Sequence, residues 1–118
     1  MLRVLAHVAV LASAIGVTTA WLGWWSVPMV AFVYGAVSRN VRARWAIAGA
    51  SAVIAWADLL ALMDIRGAHV GAISARVASV VGMPAAALVA VTLVFAALLA
   101  APAAVLGCAF WSRLRVPE

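Results

Sequence analysis

The sequence predicts an all-α, polytopic integral membrane protein with four transmembrane helices and a short interfacial segment on the outer side. Its 118 residues are 69% hydrophobic and only 9% charged, whereas a soluble domain is about half apolar and about a quarter charged. A bilayer core about 30 Å thick requires roughly 20 helical residues per crossing. Four helices with short connections therefore account for residues 1–118 as one membrane domain, and a soluble globular domain is excluded.

Four apolar segments, at about 2–20, 21–38, 45–65 and 83–111, are the predicted spans. The first also has the outline of a secretory signal peptide, because Arg3 precedes an apolar run that ends in small residues, but we expect it to be retained. The second span contains Pro28, and two interpretations are open. Either Pro28 lies inside a membrane helix, or Ser26 caps a shorter helix that begins at Val27. The fourth would be about 43 Å long, so we expect it to tilt, to bend at Pro102 or to extend beyond the bilayer.

The connection between the third and fourth spans, residues 64–82, is the only long one in the predicted topology. Arg66, His69, Ile73 and Arg76 recur in it at helical spacing, and glycines punctuate it. We expect a short helix that lies at the outer interface rather than an independent domain.

Arginine supplies all eight basic residues, and their distribution predicts the orientation of the chain. With four spans, one side of the membrane receives six of them and the other side receives two. The six are Arg3, Arg39, Arg42, Arg44, Arg113 and Arg115, and the two are Arg66 and Arg76. The positive-inside rule then places both termini in the cytoplasm, and we expect the location to be a bacterial inner membrane.

Asp58 is the most informative polar residue, because it lies deep in the third span. A carboxylate at such a position costs about 2.5 to 3.5 kcal/mol on the insertion scale. We therefore expect Asp58 to turn inward on the face of Ser51, with Thr18, Thr19 or Thr92 as its hydroxyl partner at similar depth. The pattern leaves open a structural hydrogen bond, a proton or cation site, and a polar contact with another subunit.

Two further groups of residues suggest binding sites. His7 lies about one turn inside the inner interface, where an imidazole could ligate the metal of a haem or a chlorophyll-type pigment, although a purely interfacial histidine is the simpler interpretation. Arg39, Arg42 and Arg44 act first as a topology signal, and they could also hold anionic lipid headgroups.

Small residues recur four apart in the first and fourth spans, which allows helix backbones to approach closely in lipid. Examples are Ala12 with Gly16, Ala96 with Ala100, and Ala103 with Gly107. This pattern predicts either packing within the bundle or a face that docks another protein.

Trp56, about 16 Å deep in the third span, faces either lipid or a protein neighbour.

No catalytic or cofactor motif is present, so the sequence predicts a protein that is not an enzyme and leaves any cofactor unknown. The sequence contains no glycine-rich phosphate loop, no paired carboxylates and no metal-ligand cluster. Because Cys108 is the only cysteine, disulfide or CxxC redox chemistry within the chain is also excluded. Nucleic acid is a poor partner, because topology already explains the arginines. In architecture alone, four spans in under 120 residues resemble the small multidrug-resistance transporters and the fluoride channels, but the first-span glutamate of those transporters is absent.

Two functional hypotheses follow from these features. The first is a small accessory subunit that packs against a larger membrane complex, of respiratory or photosynthetic type first and a transporter second. The second is a homo-oligomeric, proton- or cation-coupled transporter or channel that uses Asp58. Both imply a lipid bilayer and other membrane helices as partners.

Overall fold

The computed structural model describes residues 1–38 and 43–114, and within these ranges the chain is helical without strands. This confirms the all-α prediction. The helices are α1 (Leu2–Leu22), α2 (Ser26–Val37), α3 (Arg44–Met63), α4 (Val70–Val81) and α5 (Ala85–Leu114), with a π-helical turn (Asp64–Ala68) after α3.

Within the described ranges, three helical stretches are long and apolar enough to cross a membrane, which supports the predicted membrane protein by length and composition. They are Leu2–Leu22, Arg44–Ala68 and Ala85–Leu114. Helices α2 and α4 have 12 residues each, and a helix of that length measures about 18 Å, less than the bilayer core. The second predicted span is thus shorter as a helix than residues 21–38.

A turn between α1 and α2 explains why the second span is short. Gly23 has a φ of 81°, a conformation that glycine adopts without steric cost. Helix α2 then begins at Ser26, so that Pro28 lies in its first turn, where a missing N–H costs no helical hydrogen bond. The alternative of a shorter helix is therefore correct. Ser26 is not its cap, however, but its first helical residue, and the Ser26 hydroxyl donates to the Gly23 carbonyl at 2.8 Å.

Contacts between neighbouring helices define their directions. Helix α2 returns along α1, because Thr19 and Ser26 meet at the turn while the rings of His7 and Tyr34 meet farther down. Helix α3 runs parallel to α1: Ser51 lies near the start of α1, beside the Val8 carbonyl, and the later residues of both helices line a common groove.

Helix α5 runs antiparallel to α3. The start of α3 contacts the end of α5 through Arg44 and Cys108, and Gly49 lies one turn farther along, beside Ala97 and Ala101. The starts of α1 and α3 and the end of α5 are therefore at one end of the bundle, which we call the Arg3 end. It carries Arg3, Arg44 and Arg113.

The core of the bundle is built mainly from alanine. One stripe of α5 is buried against the other helices, and it consists of Ala96, Ala100, Ala104 and Gly107. A Cβ on Gly35 would collide with the backbone of Ala104, and one on Gly107 would collide with the backbone of Phe32. The small residues of α5 thus pack within the bundle and bring α2 and α5 into backbone contact.

The predicted helix in the long connection is present as α4. It begins after His69, whose φ of 47° ends the preceding π-turn, and it packs against the first part of α5 beside Leu88 and Thr92. Its position at a membrane interface stays a prediction.

Candidate functional site

Asp58 lies on α3, fourteen residues and about 21 Å beyond Arg44. Its side chain is exposed, and it borders an open groove of about 530 Å³ between α1 and α3, which we call the Asp58 groove. The other residues that line this groove are Ala9, Ala12, Ser13, Gly16, Val17, Ile54, Ala55, Leu59 and Leu62. Asp58 is the only charged residue among them.

The prediction that Asp58 turns into the bundle is wrong, because its side chain is exposed at the Asp58 groove. Ser51 is fully buried where α1 crosses α3, and its hydroxyl donates to the Ile47 carbonyl at 2.7 Å. Asp58 is on the same face of α3, seven residues later, but there α1 presents Gly16, and a Cβ built on Gly16 would meet no atom within 4 Å. Asp58 is therefore left uncovered beside an open position of α1, and the side chains of Ser13 and Val17 border the same groove without closing it.

The three predicted hydroxyl partners of Asp58 are engaged elsewhere. Within residues 1–38 and 43–114, Asp58 forms no hydrogen bond or ion pair. Helical Ser and Thr side chains commonly donate to a carbonyl one turn back, and this satisfies two of the three. The bonds are Thr18 Oγ1 to the Ala14 carbonyl (2.7 Å), Thr92 Oγ1 to the Leu88 carbonyl (2.9 Å), and Thr19 Oγ1 with Ser26 Oγ (3.2 Å).

Ser13 is the polar neighbour that the sequence analysis missed. It is exposed in the Asp58 groove, and its Oγ donates to the Ala9 carbonyl at 2.8 Å. Its oxygen retains lone pairs that can accept a further hydrogen bond. Depth did not indicate Ser13, since it lies ten residues beyond Arg3 and Asp58 lies fourteen beyond Arg44, whereas Thr18 lies fifteen beyond Arg3.

His7 lies on the exposed surface of α1, near the Arg3 end. Its Nδ1 is 2.6 Å from the Arg3 carbonyl oxygen, and its ring meets Tyr34 edge-on with centroids 6.4 Å apart. It borders a second groove, of about 390 Å³, between α1 and α2, which we call the His7 groove. The groove is lined by Ala6, His7, Val10, Leu11, Ala14, Tyr34, Val37 and Ser38.

Two aromatic side chains place polar atoms in the interior without a partner. The Tyr34 hydroxyl and the Trp56 indole nitrogen are both buried and form no hydrogen bond in the described part of the chain. Trp56 packs against the alanine core, which answers the question of whether it meets lipid or protein. A buried donor without an acceptor is destabilising by about 1 to 3 kcal/mol.

Of the three residues predicted to hold lipid headgroups, Arg39 and Arg42 lie outside the described residues. Arg44 is half-buried, and its Nη1 lies 2.8 Å from the Cys108 sulfur on α5. This contact joins α3 to α5 at the Arg3 end. Headgroup binding by the three arginines stays a prediction.

Comparisons with protein-family models, curated proteins and solved structures find no match to this chain. Among the described residues, no group of three or more His, Cys, Asp or Glu side chains could hold a metal ion, and the buried polar residues are three serines. The chemistry that the Asp58 groove offers is one carboxyl group and one hydroxyl group on a surface of small and aliphatic side chains.

Proposed function

We propose that this protein is a small structural subunit that packs laterally against other membrane proteins in a larger complex. The observation that supports this function is the exposure of Asp58 on a helix long enough to span a membrane. Ionisable residues within membrane helices almost always face protein or water. A neighbouring helix seated in the Asp58 groove would cover the carboxyl and provide it with a polar partner.

The shape of the groove suits a helix as its occupant. Ala9, Ala12 and Gly16 lie one turn apart along α1, and such small residues allow close backbone approach, which is the main source of helix association in lipid. Ile54 and Leu62 add aliphatic contact from the α3 side. A respiratory or photosynthetic assembly is the host that we favour first, and a transporter complex second.

Filling the groove should abolish assembly without unfolding the chain. Gly16→Leu puts a side chain into the open space of the groove, so we expect co-purifying membrane proteins to be lost while thermal stability in detergent is retained. Purification in a mild detergent, followed by mass identification of the chains in the particle, measures this. Gly71→Leu, at another open position on α4, is the matched control and should retain the partners. A wild-type particle that contains only this chain contradicts the proposal.

We further propose four membrane passages, with both termini in the cytoplasm of a bacterium and the protein in its inner membrane. The parallel direction of α1 and α3 supports this topology, since residues 23–43 must return the chain to the Arg3 end before α3 begins. The arginines Arg3, Arg44 and Arg113 at that end agree with the positive-inside rule.

Reporter fusions should therefore locate residues 39–43 and the C-terminus inside, and residues 23–25 and 67–82 outside. The expected pattern follows from the direction of α2, which runs back along α1 toward the Arg3 end. A C-terminus on the external side would mean an odd number of passages and would contradict the proposed topology.

A second candidate function is a homo-oligomeric transporter or channel that couples to protons or cations through Asp58. It is favoured by the open access to Asp58 and by the nearby hydroxyl of Ser13. Ion flux through reconstituted pure protein distinguishes the two functions, because equal flux in wild type and Asp58→Asn rules out this role.

A further inference from the structure

We propose that the His7 groove binds an iron porphyrin of the haem class, with Nε2 of His7 as the axial ligand of the iron. This site is on a different face of α1 from the Asp58 groove, between α1 and α2, and the two grooves share no lining residue. It does not depend on the lateral packing proposed above.

The hydrogen bond of His7 determines which ring nitrogen is free for a ligand. Nδ1 lies 2.6 Å from the Arg3 carbonyl oxygen, and a carbonyl oxygen only accepts, so Nδ1 carries the proton. In the neutral imidazole the lone pair is then on Nε2, which has no partner in the described part of the chain. Metal-binding histidines show the same arrangement, because a second-shell carbonyl fixes the tautomer and orients the ring.

This tautomer also distinguishes between ligand classes. A ligand that presents only carbonyl oxygens would find no donor at Nε2, because Nε2 of this tautomer presents a lone pair. An unsaturated metal centre is the partner that a lone pair suits, and a single imidazole is sufficient to hold the iron of a five-coordinate haem.

The walls of the His7 groove suit a flat, apolar ring. Val10, Leu11 and Val37 supply aliphatic contact, and Tyr34 supplies an aromatic surface. The groove volume of about 390 Å³ is within the range of small-molecule sites, roughly 300 to 1,000 Å³. Its open side faces outward from the bundle, so a porphyrin larger than the groove itself can extend into the surrounding lipid.

The charge beside the groove suits the acidic edge of a haem. Arg3 is exposed one helical turn before His7 and at the end of the bundle where the arginines are found. Ser38 adds a hydroxyl to the groove lining. A haem bound with its propionates toward Arg3 would keep its carboxylates at the membrane surface and its ring among the apolar side chains.

The test is a titration of the purified chain in detergent with ferric protoporphyrin, followed by the Soret absorption band. We expect saturable binding with a shifted Soret band, and a loss of affinity of about tenfold or more in His7→Gln. Metal-free protoporphyrin, which has the same ring and carboxylates, should bind more weakly and without dependence on His7. Circular dichroism verifies that each variant retains its helices.

Two control variants make the outcome decisive. His69→Gln removes the other histidine, which lies outside the groove, and should leave binding unchanged. Val10→Trp fills the groove while His7 is retained, and it should abolish binding. The proposal would be overturned if the wild type showed no saturable binding or if His7→Gln bound with equal affinity. It would also be overturned if Val10→Trp bound unchanged or if the metal-free ring bound equally tightly.

Discussion

Gly35→Leu should destabilise the bundle by about 3 kcal/mol or more, the upper range for overpacked cores. Even the first side-chain carbon at this position would overlap the backbone of Ala104. A backbone cannot change rotamer to make room, so α2 and α5 would have to separate along their whole contact. Thermal or denaturant unfolding in detergent measures the loss.

The reciprocal contact provides an independent test of the same packing. Gly107→Leu would overlap the backbone of Phe32, and we expect a loss of similar size. Because both substitutions separate the same two helices, the double variant should lose less than the sum of the single losses. Gly16→Leu and Gly71→Leu, where the added carbon meets open space, should stay within about 0.5 kcal/mol of wild type. If all four variants were equally stable, the backbone contact between α2 and α5 would be wrong.

The long helices could be predicted because hydropathy along the sequence is sufficient to locate them. Apolar runs bounded by arginine, glycine or proline determine α1, α3 and α5 to within about three residues of the observed ends. The α-helical class follows from the need to satisfy every backbone polar group inside a lipid bilayer. Neither inference requires knowledge of which helices are neighbours.

The length of α2 could not be obtained in this way. Residues 21–38 contain no charged residue and are mostly apolar, so hydropathy does not detect the break after α1. The break depends on the positive φ of Gly23 and on a turn in which Trp24 and Trp25 stack with ring centroids 4.2 Å apart. Gly23 and Pro28 were the available local signals, and they support a turn without fixing its position.

The surroundings of Asp58 were beyond sequence reasoning for a different reason. Helical periodicity correctly puts Ser51 and Asp58 on one face of α3, but burial depends on what the neighbouring helix presents at each level. Helix α1 covers Ser51 and leaves Asp58 open beside Gly16. The prediction that Thr18 or Thr92 bonds to Asp58 was wrong for a local reason, because both hydroxyls bond to carbonyls of their own helices.

Replacing Asp58 should separate the stability of the isolated chain from its assembly. Asp58→Leu removes an exposed carboxyl that forms no bond within the described ranges, so unfolding in detergent should change by about 0.5 kcal/mol or less. Insertion of α3 should improve, since the carboxylate costs about 2.5 to 3.5 kcal/mol at the helix centre. Partner chains should nevertheless be lost on purification, because the polar contact that they would make with Asp58 is gone.

Asp58→Asn and Asp58→Lys complete the test, because they change the charge while a hydrogen-bonding group is retained. The amide of Asn is nearly the same size and can still donate and accept, so assembly should persist. Lys places a long cationic side chain in the lipid core, and the described residues offer no carboxylate at that depth to receive it, so insertion should be worst in this variant. Asp64→Asn, in the π-turn beyond α3, is the matched control and should behave as wild type. If Asp58→Leu kept its partners while Asp58→Asn lost them, lateral packing would not explain Asp58, and a role in proton or cation transfer would become the better account.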